Sequence, residues 1–166
     1  MLTAYAREYP INGLESNPLV LNALLTSYDS SDSIWDFRPD PDRFSLREMA
    51  AHVADWDEVY IARLNRAVVE DRPKLESVDE DLLCVERDYA HQDPFDNLEK
   101  WKLNRGRLVA LIRSLPNEAF TRTTFSFLGE ISIDGWLARI LGHDLYHIRQ
   151  TIDFVALHAD KVNARQ

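Results

Sequence analysis

Apolar residues recur three and four positions apart in four stretches of the chain, the spacing of one buried helical face, and so predict an all-α protein. In the first stretch, Asn17 followed by Pro18 reads as an N-cap with proline at the first helical position. Leu19, Leu21, Leu24, Leu25 and Tyr28 then form an apolar face up to about Asp29. The segment from Ser30 to Phe44 holds two prolines and many turn formers, yet also Trp35 and Phe37, which suggests a loop pinned to the core. Ser45 and Glu48 have capping-box spacing and open a second helix, 45–69, carrying Leu46, Met49, Val53, Trp56, Tyr60, Ile61, Leu64 and Val68.

The acidic segment EDRPKLESVDEDLLCVERDYAHQD is too long for a tight turn between antiparallel neighbours. It is expected to carry the chain back along the molecule, giving a four-helix bundle of up-down-down-up order with a long second connection. Asp93 and Pro94 repeat the cap-plus-proline signal for a third helix ending near Ser114, where Leu115 and Pro116 stop it. Alternation from Arg122 to Ser132, around Leu128 and Gly129, predicts a short hairpin. A last helix follows from about Asp134 to Leu157, with Leu137, Ile140, Leu141, Leu145, Ile148, Ile152 and Val155 facing inward. Beside them Gly135, Ala138 and Gly142 form a small-residue stripe, and Gly142 is expected at a close helix crossing or a crowded site.

Composition narrows the partners. A chain of 166 residues with 45% apolar content is expected to form one domain over 1–166. A net charge of -9 argues against nucleic acid and anionic membranes. No apolar run approaches the roughly 18 to 20 residues that cross a bilayer. The single cysteine, Cys84, and an opening without the basic start and apolar run of a secretory signal lead to a cytoplasmic expectation.

Five histidines carry the candidate chemistry. His143 and His147, at i and i+4, leave one helical face about 6 Å apart along the axis, which suits two ligands of one ion. Trp136, Ile140 and Phe154 share that face, so the rings point toward apolar neighbours, where buried nitrogens need partners and a shared metal satisfies one on each ring. His52 lies beside the apolar stripe of the second helix. Alone it would read as a satisfied core residue; with the pair it becomes the natural third ligand. His158 lies about 16 Å beyond His147 along the helix, too far to share an ion. His91 and Cys84, in the acidic connection, read as solvated residues, with His91 or a partner chain as the candidate source of a fourth ligand.

Three imidazoles without a fourth protein ligand leave a position open for water or substrate. Imidazole ligation suits zinc, nickel, copper or iron, with zinc or nickel preferred here. Gln150 is expected to hydrogen-bond a ligating histidine. Asp55, Asp57 and Asp144 are the other candidates for that role, against an ordinary reading as solvated surface.

The stretches FSLREMAAHVADWDEVY and GHDLYHIRQ, with the approach WDFRPDPDRFSLREMAAH, resemble the DinB/YfiT-like metalloenzyme superfamily over nearly the whole chain. The resemblance implies a four-helix bundle that binds a divalent metal through His52, His143 and His147. It also implies chemistry related to thiol-dependent transferases, with a low-molecular-weight thiol such as bacillithiol, mycothiol or glutathione as cosubstrate. The reading that follows is a metal-dependent S-transferase acting on small electrophiles. The alternatives are a hydrolase using water activated by the ion, and a non-catalytic, stress-associated metal-binding protein. A homodimer is a further expectation.

Overall fold

The structure, a computed structural model, describes residues 2–127 and 129–164. Its long helices are α1 (Ala4–Leu25), α2 (Leu46–Val69), α4 (Pro94–Ser114) and α5 (Ile133–Asn163), with a seven-residue helix α3 (Glu80–Glu86) in the second connection. A hairpin of β1 (Thr123–Ser126) and β2 (Gly129–Ser132) precedes α5. No described helix is long and apolar enough to cross a membrane.

Side-chain pairings fix the helix directions. Arg7, Gly13 and Asn17 of α1 meet Asp134, Leu141 and Asp144 of α5 in the same order, so these helices are parallel. Asp55 and Asp57 of α2 meet Lys100 and Arg105 of α4, again in parallel. His52 and Tyr60 of α2 meet His143 and Trp136 of α5 in reverse order. The bundle is therefore up-down-down-up, as expected. α2 packs between α4 and α5, and α1 closes the other side against the same two helices.

Local signals set most boundaries. Ser45 Oγ accepts from Glu48 N at 3.3 Å while the Glu48 carboxylate accepts from Ser45 N at 2.8 Å, closing the capping box of α2. Asp93 caps α4 with Pro94 in its first turn. Ser132 accepts from Gly135 N at 3.1 Å and starts α5, which runs six residues past the expected end. Trp35 is fully buried and its indole donates to the Asp29 carbonyl at 2.8 Å, pinning the first connection.

The first helix departs from expectation. It begins at Ala4, capped by Thr3, so Pro10 and Pro18 lie inside it and Asn17 is no cap. Asn17 is buried and donates to Asp144 at 2.9 Å. An internal proline deprives the carbonyl four residues earlier of its donor. For Pro18 that carbonyl belongs to Leu14, and Arg105 Nη1 donates to it at 2.8 Å. The side chain of α4 thus supplies the bond that the α1 backbone cannot make.

The small-residue stripe also plays a different part. A Cβ on Gly142 would meet nothing within 4 Å, so no crossing or crowding requires glycine there. A Cβ on Gly135 would come within 2.9 Å of Ile131 Cγ2, where the hairpin folds back on the start of α5. The tight approach between helices lies at Gly13, where a Cβ would sit 3.0 Å from Leu141 Cδ1. Leu19, Leu145 and Ile152, expected in the core, are exposed.

The second connection is tied down at both ends. Phe125 N donates to Pro73 O at 2.9 Å and Leu75 N to Phe125 O at 2.7 Å, so the chain leaving α2 runs alongside β1. Asp79 then caps α3, a short helix within the segment expected to carry the chain back along the molecule. The expected hairpin is present, with Ser126 opposite Gly129; Leu128 lies outside the described residues.

Candidate metal centre

His52 sits near the start of α2, and His143 and His147 lie one turn apart on α5. Because α2 and α5 are antiparallel neighbours, their facing sides bring these residues together. His52 Nε2 is 3.0 Å from His143 Nε2, and His147 Nε2 is 3.2 Å from the same atom. Among the described residues these three form a cluster with ligand atoms within 4.8 Å of one another.

His52 and His147 are buried and His143 is half-buried. Trp56 stacks on the His52 ring at 4.8 Å between centroids, and Phe44 flanks it at 5.2 Å. Burial, reinforced by the neighbouring His147, lowers the His52 pKa to about 3. Burial lowers that of His147 to about 4, the bond to Gln150 opposing, and drives His143 well below the ordinary histidine value. All three rings are therefore neutral at pH 7, each with one N–H and one lone pair.

That proton count constrains the cluster. His147 Nδ1 lies 3.0 Å from Gln150 Oε1, so it carries the hydrogen and its Nε2 presents a lone pair. His143 Nε2 has one hydrogen at most for two facing nitrogens. Lone pairs therefore converge where burial disfavours extra protons, while buried His52 Nδ1 has no hydrogen-bond partner among the described residues. A divalent cation held by His52, His143 and His147 would take one lone pair from each ring, so this donor set fits a metal.

Other candidates fall elsewhere. Gln150 is buried against His147, as expected. Asp57 and Asp144 contact no histidine and are not solvated: both are buried and clamp Arg105, whose Nε and Nη2 donate to Asp57 at 2.9 Å. Nη2 also donates to Asp144 at 2.9 Å, and Nη1 to the other Asp144 oxygen. Burial works against the Arg105 charge, but Asp144 and Asp57 outweigh it and hold its pKa above the usual arginine value. Burial pushes the Asp57 carboxyl up to about 6 even beside Arg105. Asp55, also buried, accepts from Tyr89 Oη at 2.6 Å and Lys100 Nζ at 2.6 Å. His91 is exposed and paired with Asp88 at 2.6 Å, His158 bonds Ser33 at 3.0 Å, and Cys84 is half-buried; none joins the cluster.

The histidines open onto a cavity of about 300 Å³ walled by Arg43, Phe44, Glu80, Asp81 and Tyr146. Arg43 donates to Tyr146 Oη at 2.8 Å, joining the first connection to α5 across this mouth. Glu80 and Asp81 come from the start of α3, a site contribution that no motif in the sequence announces.

The DinB superfamily profile matches residues 14–151, a span that contains all three histidines. The chain belongs to the DinB superfamily. A solved structure of YfiT from Bacillus subtilis, described as a probable metal-dependent hydrolase with an unusual four-helix bundle topology, superposes with a TM-score of 0.88. It is 21% identical, and the match covers 96% of this chain and 91% of that one, so it speaks to the fold. No curated protein matches this DinB chain in sequence.

Proposed function

We propose that this DinB-superfamily protein is an enzyme that holds one divalent metal ion, zinc or nickel, through His52, His143 and His147. We further propose that it joins a low-molecular-weight thiol to a small electrophile. The observation that carries the metal reading is the convergence of three neutral imidazole nitrogens within 4.8 Å in a setting that resists protonation. An ion held by three protein ligands would keep room for a further ligand, and the histidines that would hold it line the cavity. A metal bound there would favour a thiolate over its thiol, supplying a nucleophile at neutral pH.

The protein's own residues supply the setting. Gln150 fixes the His147 ring, while Trp56 and Phe44 hold His52 and shield it from water. The cavity admits a small electrophile beside the sulfur. The sulfur–carbon bond forms as the leaving group departs with its electron pair, and the thiol proton passes to solvent.

Elemental analysis of freshly purified protein should find about one equivalent of metal, and the His52→Ala, His143→Ala double variant should lose both metal and thiol conjugation. Full metal content in that variant would reject the assignment.

Hydrolysis is the second reading, favoured by the carboxylates of Glu80 and Asp81 in the same cavity. Burial, with Asp81 and Asp79 adding to it, raises the Glu80 pKa and suits it to proton transfer. YfiT's description points the same way. Turnover of esters or amides without added thiol, lost in Glu80→Gln, would select this reading over thiol transfer.

A further inference from the structure

A second group of unmatched polar side chains lies behind the histidines. Arg63 of α2 is 7% exposed and has no carboxylate within ion-pair distance among the described residues. Its Nη2 donates to the Glu76 carbonyl at 3.3 Å, and its guanidinium lies 5.4 Å from the Trp136 ring centroid. Arg139 of α5, one turn before His143, has no hydrogen-bond or ion-pair partner among the described residues. The Tyr60 hydroxyl, buried without a partner, lies within electrostatic reach of both guanidiniums. In a chain with 28 acidic and 19 basic residues, buried Arg63 and exposed Arg139 stand at one site without a paired carboxylate among the described residues and offer their donors to an acceptor from outside.

Arg63 and Arg139 line one cavity of about 410 Å³ together with Trp56, Ser77, Asp79 and Glu80. The cavity's own carboxylates form no ion pair with them, although the Arg139 charge acts on Glu80 electrostatically. Asp79 is occupied in capping α3, accepting from Asp81 N and Leu82 N, and Glu80 forms no ion pair among the described residues. Burial lowers the Arg63 pKa and the Arg139 charge adds to this, with Tyr60 opposing, so the two cations repel one another across the space.

This cavity adjoins the candidate metal centre. Trp56, in its wall, stacks on His52. Glu80 lines both this cavity and the histidine cavity, and Arg139 shares a further opening with His143 and Tyr146. A ligand lying along the shared Glu80 wall would have one end at the histidines and the other at the guanidiniums.

We propose that Arg63 and Arg139 form a carboxylate-binding subsite for the small molecule whose other end reaches the three-histidine centre. This rests on the metal reading above and adds the chemical class of the substrate: an organic acid or acidic thiol. The planar guanidinium fork matches a carboxylate, and the nearby Asp79 and Glu80 disfavour the double charge that a phosphate concentrates on one group more than the single charge of a carboxylate.

The test compares mercaptosuccinate with 2-mercaptoethanol on cobalt(II)-loaded protein, following the cobalt–thiolate absorption band. Mercaptosuccinate should bind about tenfold tighter or better. Arg139→Gln should remove most of that preference and leave 2-mercaptoethanol binding unchanged. Arg63→Met should do the same; because Arg63 is buried and Arg139 exposed, the Arg139 variant carries the test if the other fails to fold. A preference undiminished in Arg139→Gln would mean that the carboxylates chelate cobalt or bind elsewhere, and overturns the subsite. If the protein takes up no cobalt, the metal reading alone fails. The subsite is then decided on metal-free protein by titrating succinate and following the arginine Nε–H signals by NMR. Shifts at Arg63 and Arg139 support it; unmoved signals overturn it.

Discussion

His52 shows what burial does to a single residue of this centre. Its ring is buried and its Nδ1 finds no acceptor, while its Nε2 faces another nitrogen. The three depressed histidine pKa values give this a pH signature. In the unfolded chain an imidazole takes up a proton near pH 6.5, whereas in the folded protein His147 and His52 resist until about 4 and about 3. Between those limits the unfolded state binds more protons, so stability of the metal-free protein should fall progressively as pH drops from about 6.5 toward 4. Above pH 7 these residues contribute no slope. Urea midpoints at pH 7.5 and 5.0, compared with a variant carrying glutamine at all three positions, should show the wild type losing more. Equal losses would contradict the assigned burial.

The histidines were legible because helical spacing and an apolar surrounding are local properties. Arg105 was not, since a charged residue in a helix usually faces water, and its partners Asp57 and Asp144 lie 48 and 39 positions away. For the same reason both aspartates read as surface or as histidine partners. Truncating Arg105 to methionine strands two buried carboxylates and the Leu14 carbonyl, and should cost about 3 to 5 kcal/mol in chemical denaturation.

Between elements, sequence signals worked where a cap and an apolar run coincide, as at Ser45 and Asp93, and failed where a signal had two meanings. Asn17-Pro18 reads as a helix start, but α1 already spans it because Arg105 occupies the carbonyl freed by the proline. Glycine has the same ambiguity. Gly142 lies in an exposed stretch of α5 with open space around its Cα, so Gly142→Ala should stabilise the fold by about 0.5 to 1 kcal/mol through helix propensity alone. Gly13→Val should instead press on Leu141 and destabilise by about 1 to 3 kcal/mol. Thermal melts of the two variants moving in the same direction would refute this division between open and close-packed glycines. Helix α3 was hidden because it is short and its apolar residues, Leu82 to Val85, are consecutive rather than spaced three and four apart, with none of them buried.

For the whole molecule, a ligand that binds the native state alone raises its stability by mass action. At a free metal concentration about 100 times Kd the gain is about 2.7 kcal/mol, and a chelator should withdraw it. Differential scanning fluorimetry of the stripped protein with added zinc or nickel should show a Tm increase of about 5 to 11 °C, absent from the His52→Ala variant.

The up-down-down-up course places His52 and His143 91 positions apart in the chain, although their ring nitrogens nearly touch. A cation gripping both would act as a reversible cross-link closing a loop that contains α3, α4 and the hairpin, and so would penalise the disordered chain most. His143 and His147, one turn apart, already offer two ligands once α5 coils. Coordination can therefore begin on α5 alone and be completed only when α2 arrives, making the third bond a latch on assembly of the bundle.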